Sequence, residues 1–385
     1  MFATRTNWNL KTNRLSEALA RHRAAGNPVL DLTASNPTTC GFRYNVPEVL
    51  GALANPATLV YEPQPKGLES ARNAVAAYYA DRGDDVGAGD IILTTSTSEA
   101  YSFVFRTLCN PGDEILIPAP SYPLFDFLAD IQDVKPVRYP LLYDYGWQID
   151  FAALESAITP RTRAVIAVHP NNPTGHFCSA REVTRLNEIC SQRQIAIIAD
   201  EVFLDFALAA DREPSFAANA SSLTFTMSGL SKISGLPQMK FAWLVASGPR
   251  ELKAQALARL EVIADTYLSM NAPVQHAVSA LFGQRHGFQP QLMERVRKNL
   301  AELDLLLNRQ KACSRLEVHG GWYAVLRVPA TRPDEDLAIA LLEAKNVYVH
   351  PGLFYDFPGD GYLVVSLITP QNDFQQGIEA LITMY

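Results

Sequence analysis

The residues of this chain best suited to chemistry are an amine, a carboxylate, an amide and a run of small hydroxyls, each beside an apolar segment. Lys232 stands in Ser228-Gly229-Leu230-Ser231-Lys232-Ile233-Ser234-Gly235-Leu236-Pro237, where small and apolar residues surround a single amine. Lysine is one of the few side chains that condense with a carbonyl to an imine, and desolvation or neighbouring charge prepares it by lowering its pKa. Asp200, in Ala199-Asp200-Glu201-Val202-Phe203, follows the apolar run Ile195 to Ile198. A carboxylate at the end of a buried strand is costly without a cation, and a protonated ring nitrogen is such a cation. Each residue also has a plainer reading: a loop lysine is usually solvated, and a strand-ending acid often caps a helix or pairs at the surface. A metal at Asp200 would lack His or Cys neighbours.

Asn172 lies in His169-Pro170-Asn171-Asn172-Pro173-Thr174-Gly175, directly after an apolar run. Pro173 and Gly175 fix a tight turn that aims an amide at the strand end, where it can donate to a phenolic oxygen; a turn with no ligand fits equally well. The hydroxyl run Thr95-Ser96-Thr97-Ser98 precedes Glu99-Ala100 and the start of a helical pattern. Small residues at a helix N-terminus present free N–H groups and the positive end of the dipole, which suits a phosphate. An ordinary N-cap is the commoner fate of such a sequence.

Something must hold these segments together. Short β-branched runs (Ile91 to Leu93, Glu114 to Ile117, Ala164 to Val168, Ile195 to Ile198) alternate with helical patterns such as Glu69 to Asp81 and Arg181 to Gln192. That alternation predicts an α/β fold, with a large domain built on a mostly parallel sheet flanked by helices. Open sheets of this kind bind ligands outside the carboxyl ends of their strands, where all of these segments should lie. The ends of the chain alternate less regularly and are assigned to a smaller α+β domain. Its elements are Gly321 to Val328, the helix Asp334 to Ala344 and the strand Tyr362 to Leu367. The expected boundaries are 47–276 for the large domain, and 1–46 with 277–385 for the small one.

A chain of 385 residues suits two domains with a cleft between them. The net charge of −7 is mild, and no run of Lys and Arg reads as a nucleic-acid or membrane patch. Five scattered cysteines, none in a CxxC pair, read as reduced thiols. No stretch has the apolar length of a signal peptide or membrane span, so a cytoplasmic location is the expectation, with neither nucleic acid nor membrane as a partner.

In order along the chain, Ser96 to Ser98, Tyr122 in PSYPLF, the Asn-Pro-Thr-Gly at Asn172, Asp200 and the SxxSK-like Lys232 resemble the class I/II aminotransferases of pyridoxal phosphate fold type I. The likeness runs from about Asn36 to Ser366. It implies that Lys232 holds pyridoxal 5'-phosphate as a Schiff base and later moves a proton, that Asp200 pairs with the ring nitrogen, and that Asn172 donates to the ring oxygen. Tyr122 would stack on the ring. Phosphate would meet Ser96, Thr97, Ser98 and Ser231, together with Tyr61 from a neighbouring subunit, which makes a homodimer with shared sites. Asn36, in Ser35-Asn36-Pro37, would approach the substrate, a small-molecule amino donor or 2-oxo acid.

The likeness fails at several positions. Phe203 stands where a tyrosine is usual, removing a donor to the ring oxygen. Lys240 stands where an arginine usually meets the phosphate, keeping charge and losing the bidentate fork. Val364 stands where an arginine usually clamps the substrate carboxylate, so recognition of that group should be atypical, with Arg43, Arg327 or Lys66 as weak substitutes. Transamination is the leading expectation. A lyase or decarboxylase on the same cofactor, or a cofactor-binding protein without turnover, are the alternatives.

Overall fold

A computed structural model describes residues 1–209, 214–268 and 270–385. Its centre is an eight-stranded sheet in the order Ile91–Thr94, Ala242–Ser247, Thr224–Gly229, Ala196–Asp200, Thr162–Val168, Glu114–Ala119, Lys135–Tyr143 and Trp147–Ile149. The strands from Thr224–Gly229 to Lys135–Tyr143 run parallel, while Ile91–Thr94, Ala242–Ser247 and Trp147–Ile149 join antiparallel. The strands Ile91–Thr94, Thr162–Val168, Ala196–Asp200 and Ala242–Ser247 are mostly apolar and almost wholly buried because both faces are covered.

Side chains alternate faces with the strand period of two. Ile115, Ile117, Ile166, Ile198 and Leu244 enter one core with the helices Thr97–Leu108 and Arg250–Tyr267. Leu116, Val165, Ala167, Ile197 and Ala199 enter another with the helix Ala180–Arg193. That helix starts with a capping box between Ser179 and Glu182, the pairing expected from a serine three residues before a glutamate. The helix Glu69–Arg82 packs with Ala272–Gly283 against Ile91, Leu93, Trp243 and Val245.

A second, four-stranded antiparallel sheet has the order Ser314–Arg315, Tyr323–Arg327, Tyr362–Ser366, His350–Pro351. Both chain ends contribute to its surroundings. Leu15 and Leu32 share a core with Leu337, Leu363, Phe374 and Ile378, and Leu30–Asp31 pairs in parallel with Val347–Tyr348. An ion pair of Arg14 with Asp336 at 2.7 Å ties the first long helix to Asp334–Lys345.

Candidate active site

The parallel strands end on one edge of the large sheet, and there a cleft of about 310 Å³ opens. Asp200 is the last residue of its strand, and its carboxylate lines the cleft floor. The phenol of Tyr101 donates to Oδ2 at 3.0 Å and the Val202 N–H to Oδ1 at 3.2 Å. Burial raises the carboxyl above its ordinary range, while those two donors and the amine of Lys232 pull it down. The acid is oriented, and among the described residues no cation is hydrogen-bonded to it, so a protonated ring nitrogen fits it.

Lys232 rises from the short helix Leu230–Ile233, after the extended residue Gly229. Burial lowers its amine to about 8, and Asp200 opposes the shift. About a tenth of the amine is therefore neutral at pH 7, far more than for an ordinary lysine, and the neutral form is the one that attacks a carbonyl.

Asn172 is positioned by its neighbour. Asn171 Oδ1 accepts from Thr174 Oγ1 at 2.9 Å, Asn171 O from Gly175 N, and Asn171 N donates to His176 O, both at 2.8 Å. His169 Nδ1 accepts from Cys178 N at 3.0 Å while Nε2 meets Pro214 O at 3.1 Å, so the loop is braced on both sides. Gly175 sits at φ +71, where an added Cβ would meet Val318 Cγ2 at 2.5 Å and Gly320 O at 2.6 Å. Asn172 is buried in the cleft wall, and its side-chain oxygen has no partner among the described residues. An amide left unpaired in a polar cleft suits a ligand.

At the N-terminus of the helix Thr97–Leu108, Ser96 Oγ accepts from Glu99 N at 3.1 Å. Glu99 returns to accept from Thr95 N at 2.6 Å. The Thr97 and Ser98 N–H groups have no acceptor within the helix, and Ser96, Thr97, Ser98 and Ser231 all line the cleft. An anion-binding end thus faces an amine, an acid and an amide, the set of donors and acceptors that a phosphorylated pyridine aldehyde requires.

Tyr122 and Phe203 line the same cleft. Lys240 is exposed with φ 51 and lies outside the lining. Asn36 is also exposed, its Oδ1 accepting from Thr38 N at 3.1 Å, while Ser35 reaches the cleft. Tyr61 is 78% exposed and borders a different cavity, with Met270 and Gln275. Arg43, Arg327 and Lys66 do not line the cleft. Val364 is buried among Leu316, Val325, Tyr355 and Phe357.

Sequence reasoning missed Tyr101, Tyr323 and Trp322, and singled out Asn36 rather than Ser35 within Ser35-Asn36-Pro37. Tyr323 lines the cleft, and Trp322 approaches the lysine. Tyr101 occupies an ordinary core position in a helix, and nothing in its local sequence sets it apart. Ser35, adjoining Asn36, was the signal closest to hand.

A family profile for aminotransferases of class I and II matches residues 27–381. The glutamate-pyruvate aminotransferase AlaA of Escherichia coli K12 is 30% identical over 352 residues, 89% of this chain and 87% of that protein. An aminotransferase structure from Escherichia coli superposes with a TM-score of 0.87 at 27% identity, covering 100% of this chain and 98% of the other. The alanine aminotransferase of Pyrococcus furiosus gives 0.90 at 21% identity, covering 100% and 99%, a likeness of fold.

Proposed function

The chain belongs to the aminotransferases of class I and II, and from that premise we propose how its residues divide the work. It is a pyridoxal-phosphate-dependent transaminase. The cofactor, when bound, supplies an electron sink for charge developing at the substrate's Cα. Lys232 Nζ would hold the cofactor aldehyde and, once released by substrate, would take the proton from the substrate Cα and deliver it to the carbon of the former aldehyde. Asp200, steadied by Tyr101, keeps the ring nitrogen protonated. Asn172 donates to the ring oxygen, Tyr122 covers the ring, and the Thr97 and Ser98 N–H groups with the Ser96 and Ser231 hydroxyls hold the phosphate, with Lys240 adding charge from outside. The observation that carries this reading is the shared cleft of Lys232 and Asp200, with the amine brought to about 8 by burial.

The substrates are an amino donor and a 2-oxo acid. Lys232 is the only Lys or Arg among the described residues lining the cleft, and it is engaged by the cofactor. The substrate carboxylate is therefore met by hydroxyls, Ser35 and Tyr323, with Asn36 behind them, and a second carboxylate finds no partner. The division into 47–276 and the two chain ends places this wall on the small domain. The exposed Tyr61 reaches the phosphate of a second copy in a cytoplasmic homodimer.

The test is reduction of the yellow holoprotein with borohydride, followed by peptide mapping. The adduct is expected at Lys232 and absent from Lys232→Ala; an adduct at Lys240 would sink the assignment. Conversion to the pyridoxamine form by an amino donor separates transamination from a lyase, which releases ammonia or pyruvate.

A further inference from the structure

The Lys232 amine rests against aromatic faces. Its Nζ lies 4.8 Å from the centroid of Trp322 and 5.4 Å from that of Phe203. Those rings meet edge to face at 5.2 Å and 76°, and Trp322 meets Phe206 the same way at 5.3 Å and 75°. Trp322 is 0% exposed and Phe203 3% exposed, so both rings are fixed by packing. Their origins differ: Phe203 follows the large-sheet strand that ends in Asp200, and Trp322 precedes the small-sheet strand Tyr323–Arg327. The Trp322 carbonyl accepts from Leu367 N at 2.7 Å, which fixes its backbone to the small sheet.

We propose that Phe203 and Trp322 form a receiving site for the Lys232 ammonium, and that Trp322 is a positioning residue holding the amine whenever it is not bonded to the cofactor. This rests on the reading of Lys232 as the cofactor lysine. Transamination requires that lysine to leave the cofactor and stay close enough to move a proton. A carboxylate at that distance would hold the ammonium too firmly and raise its pKa. Aromatic faces attract a cation through the ring quadrupole, accept no proton, and exclude water. The charged and titratable groups facing the amine are Asp200 on the strand end, with Tyr101 bonded to it, and the cleft phenols Tyr122 and Tyr323. Glu201 turns away, to Ser215 Oγ and Phe216 N, both at 2.6 Å.

The test uses the full chain loaded with pyridoxamine 5'-phosphate, in which the lysine is free. Carbamylation of Lys232 by cyanate is followed by mass spectrometry across pH, giving the midpoint of the amine. Trp322→Leu keeps the site apolar and removes the ring face, so the midpoint should fall by about half a unit to one unit. Trp322→Phe keeps a weaker face and should fall by less. An unmoved or raised midpoint in Trp322→Leu overturns the proposal. Should that variant fail to fold, Trp322→Phe decides alone, and an unmoved midpoint there overturns it as well. Borohydride reduction of the pyridoxal form tests the underlying reading separately: an adduct away from Lys232 overturns that reading whatever the midpoints do.

Discussion

The phenol of Tyr101 donates to Asp200 Oδ2 at 3.0 Å, which couples the phosphate end of the cleft to its acid. Tyr101 belongs to the helix Thr97–Leu108, whose first N–H groups face the cleft. One rigid element therefore offers the anion site and orients the carboxylate. Tyr101→Phe leaves Asp200 with the Val202 N–H alone. A hydrogen bond to a charged group contributes about 1.5–3 kcal/mol, so cofactor affinity should fall roughly tenfold or more. Equilibrium titration of the apoprotein with pyridoxal phosphate measures this, and an unchanged dissociation constant would show that the phenol is incidental.

His169 predicts an acid limit to stability. Burial lowers its imidazole from 6.5 to about 4, the bond to Pro214 O opposing the shift. The unfolded chain takes up the proton near 6.5 and the folded chain only near 4, so stability present above 6.5 is lost as pH falls between those values. Over that window the loss is on the order of 3 kcal/mol. His169→Gln keeps a side-chain acceptor without the titration. Its urea midpoint should be lower than that of the natural chain at pH 7 and flatter between pH 6.5 and 4; parallel profiles would refute the assignment.

The large sheet was legible because its strands at Ile91, Glu114, Ala164 and Ile195 are continuous apolar runs, and a run buried on both faces needs no alternation to declare itself. The strand Lys135–Tyr143 was not picked out, since Pro136 and Pro140 argue against a central strand. Thr224–Gly229 and Ala242–Ser247 also escaped, since Thr, Ser and Gly interrupt the first and both adjoin the lysine segment. At the site, Asp200 and Asn172 were legible because each follows an apolar run, and Lys232 because small and apolar residues surround a single amine. Tyr101 and Trp322 were not, because each is a core aromatic by sequence and acquires its role from tertiary placement. Lys240 and Asn36 show the converse: position along the chain suggested the cleft, while both are exposed and outside its lining, Lys240 on left-handed backbone and Asn36 capping its own turn.

Substrate recognition follows from the cations missing around the cleft. Aspartate and 2-oxoglutarate bring a second carboxylate, and the described lining holds no Arg and no Lys besides Lys232. Turnover of that pair should stay well below the order of 10 per second typical of enzymes. Tyr323→Phe should raise KM for every 2-oxo acid accepted by roughly fivefold, the loss of about 1 kcal/mol of hydrogen bonding. An unchanged KM would remove Tyr323 from the substrate wall.

Phe203 governs the final prediction, the proton held at Lys232 Nζ in the loaded enzyme, which the visible absorbance reports as a pH midpoint. Negative charge on the cofactor's ring oxygen holds that proton, and a donor to the oxygen drains part of the charge. Phe203 lines the cleft and cannot donate. Val364 supplies no positive charge to repel the proton. These effects act in one direction, so the protonated, yellow form should persist to high pH. Phe203→Tyr keeps the aromatic ring and adds a hydroxyl, which isolates the effect of the hydrogen bond. The midpoint should fall by about half a unit to one unit. Val364→Arg should lower it further only if the guanidinium escapes the packing of Val325, Tyr355 and Phe357, so this substitution carries less weight. A titration in which Phe203→Tyr leaves the midpoint unmoved, or raises it, would place residue 203 away from the ring oxygen and leave Asn172 as that oxygen's donor.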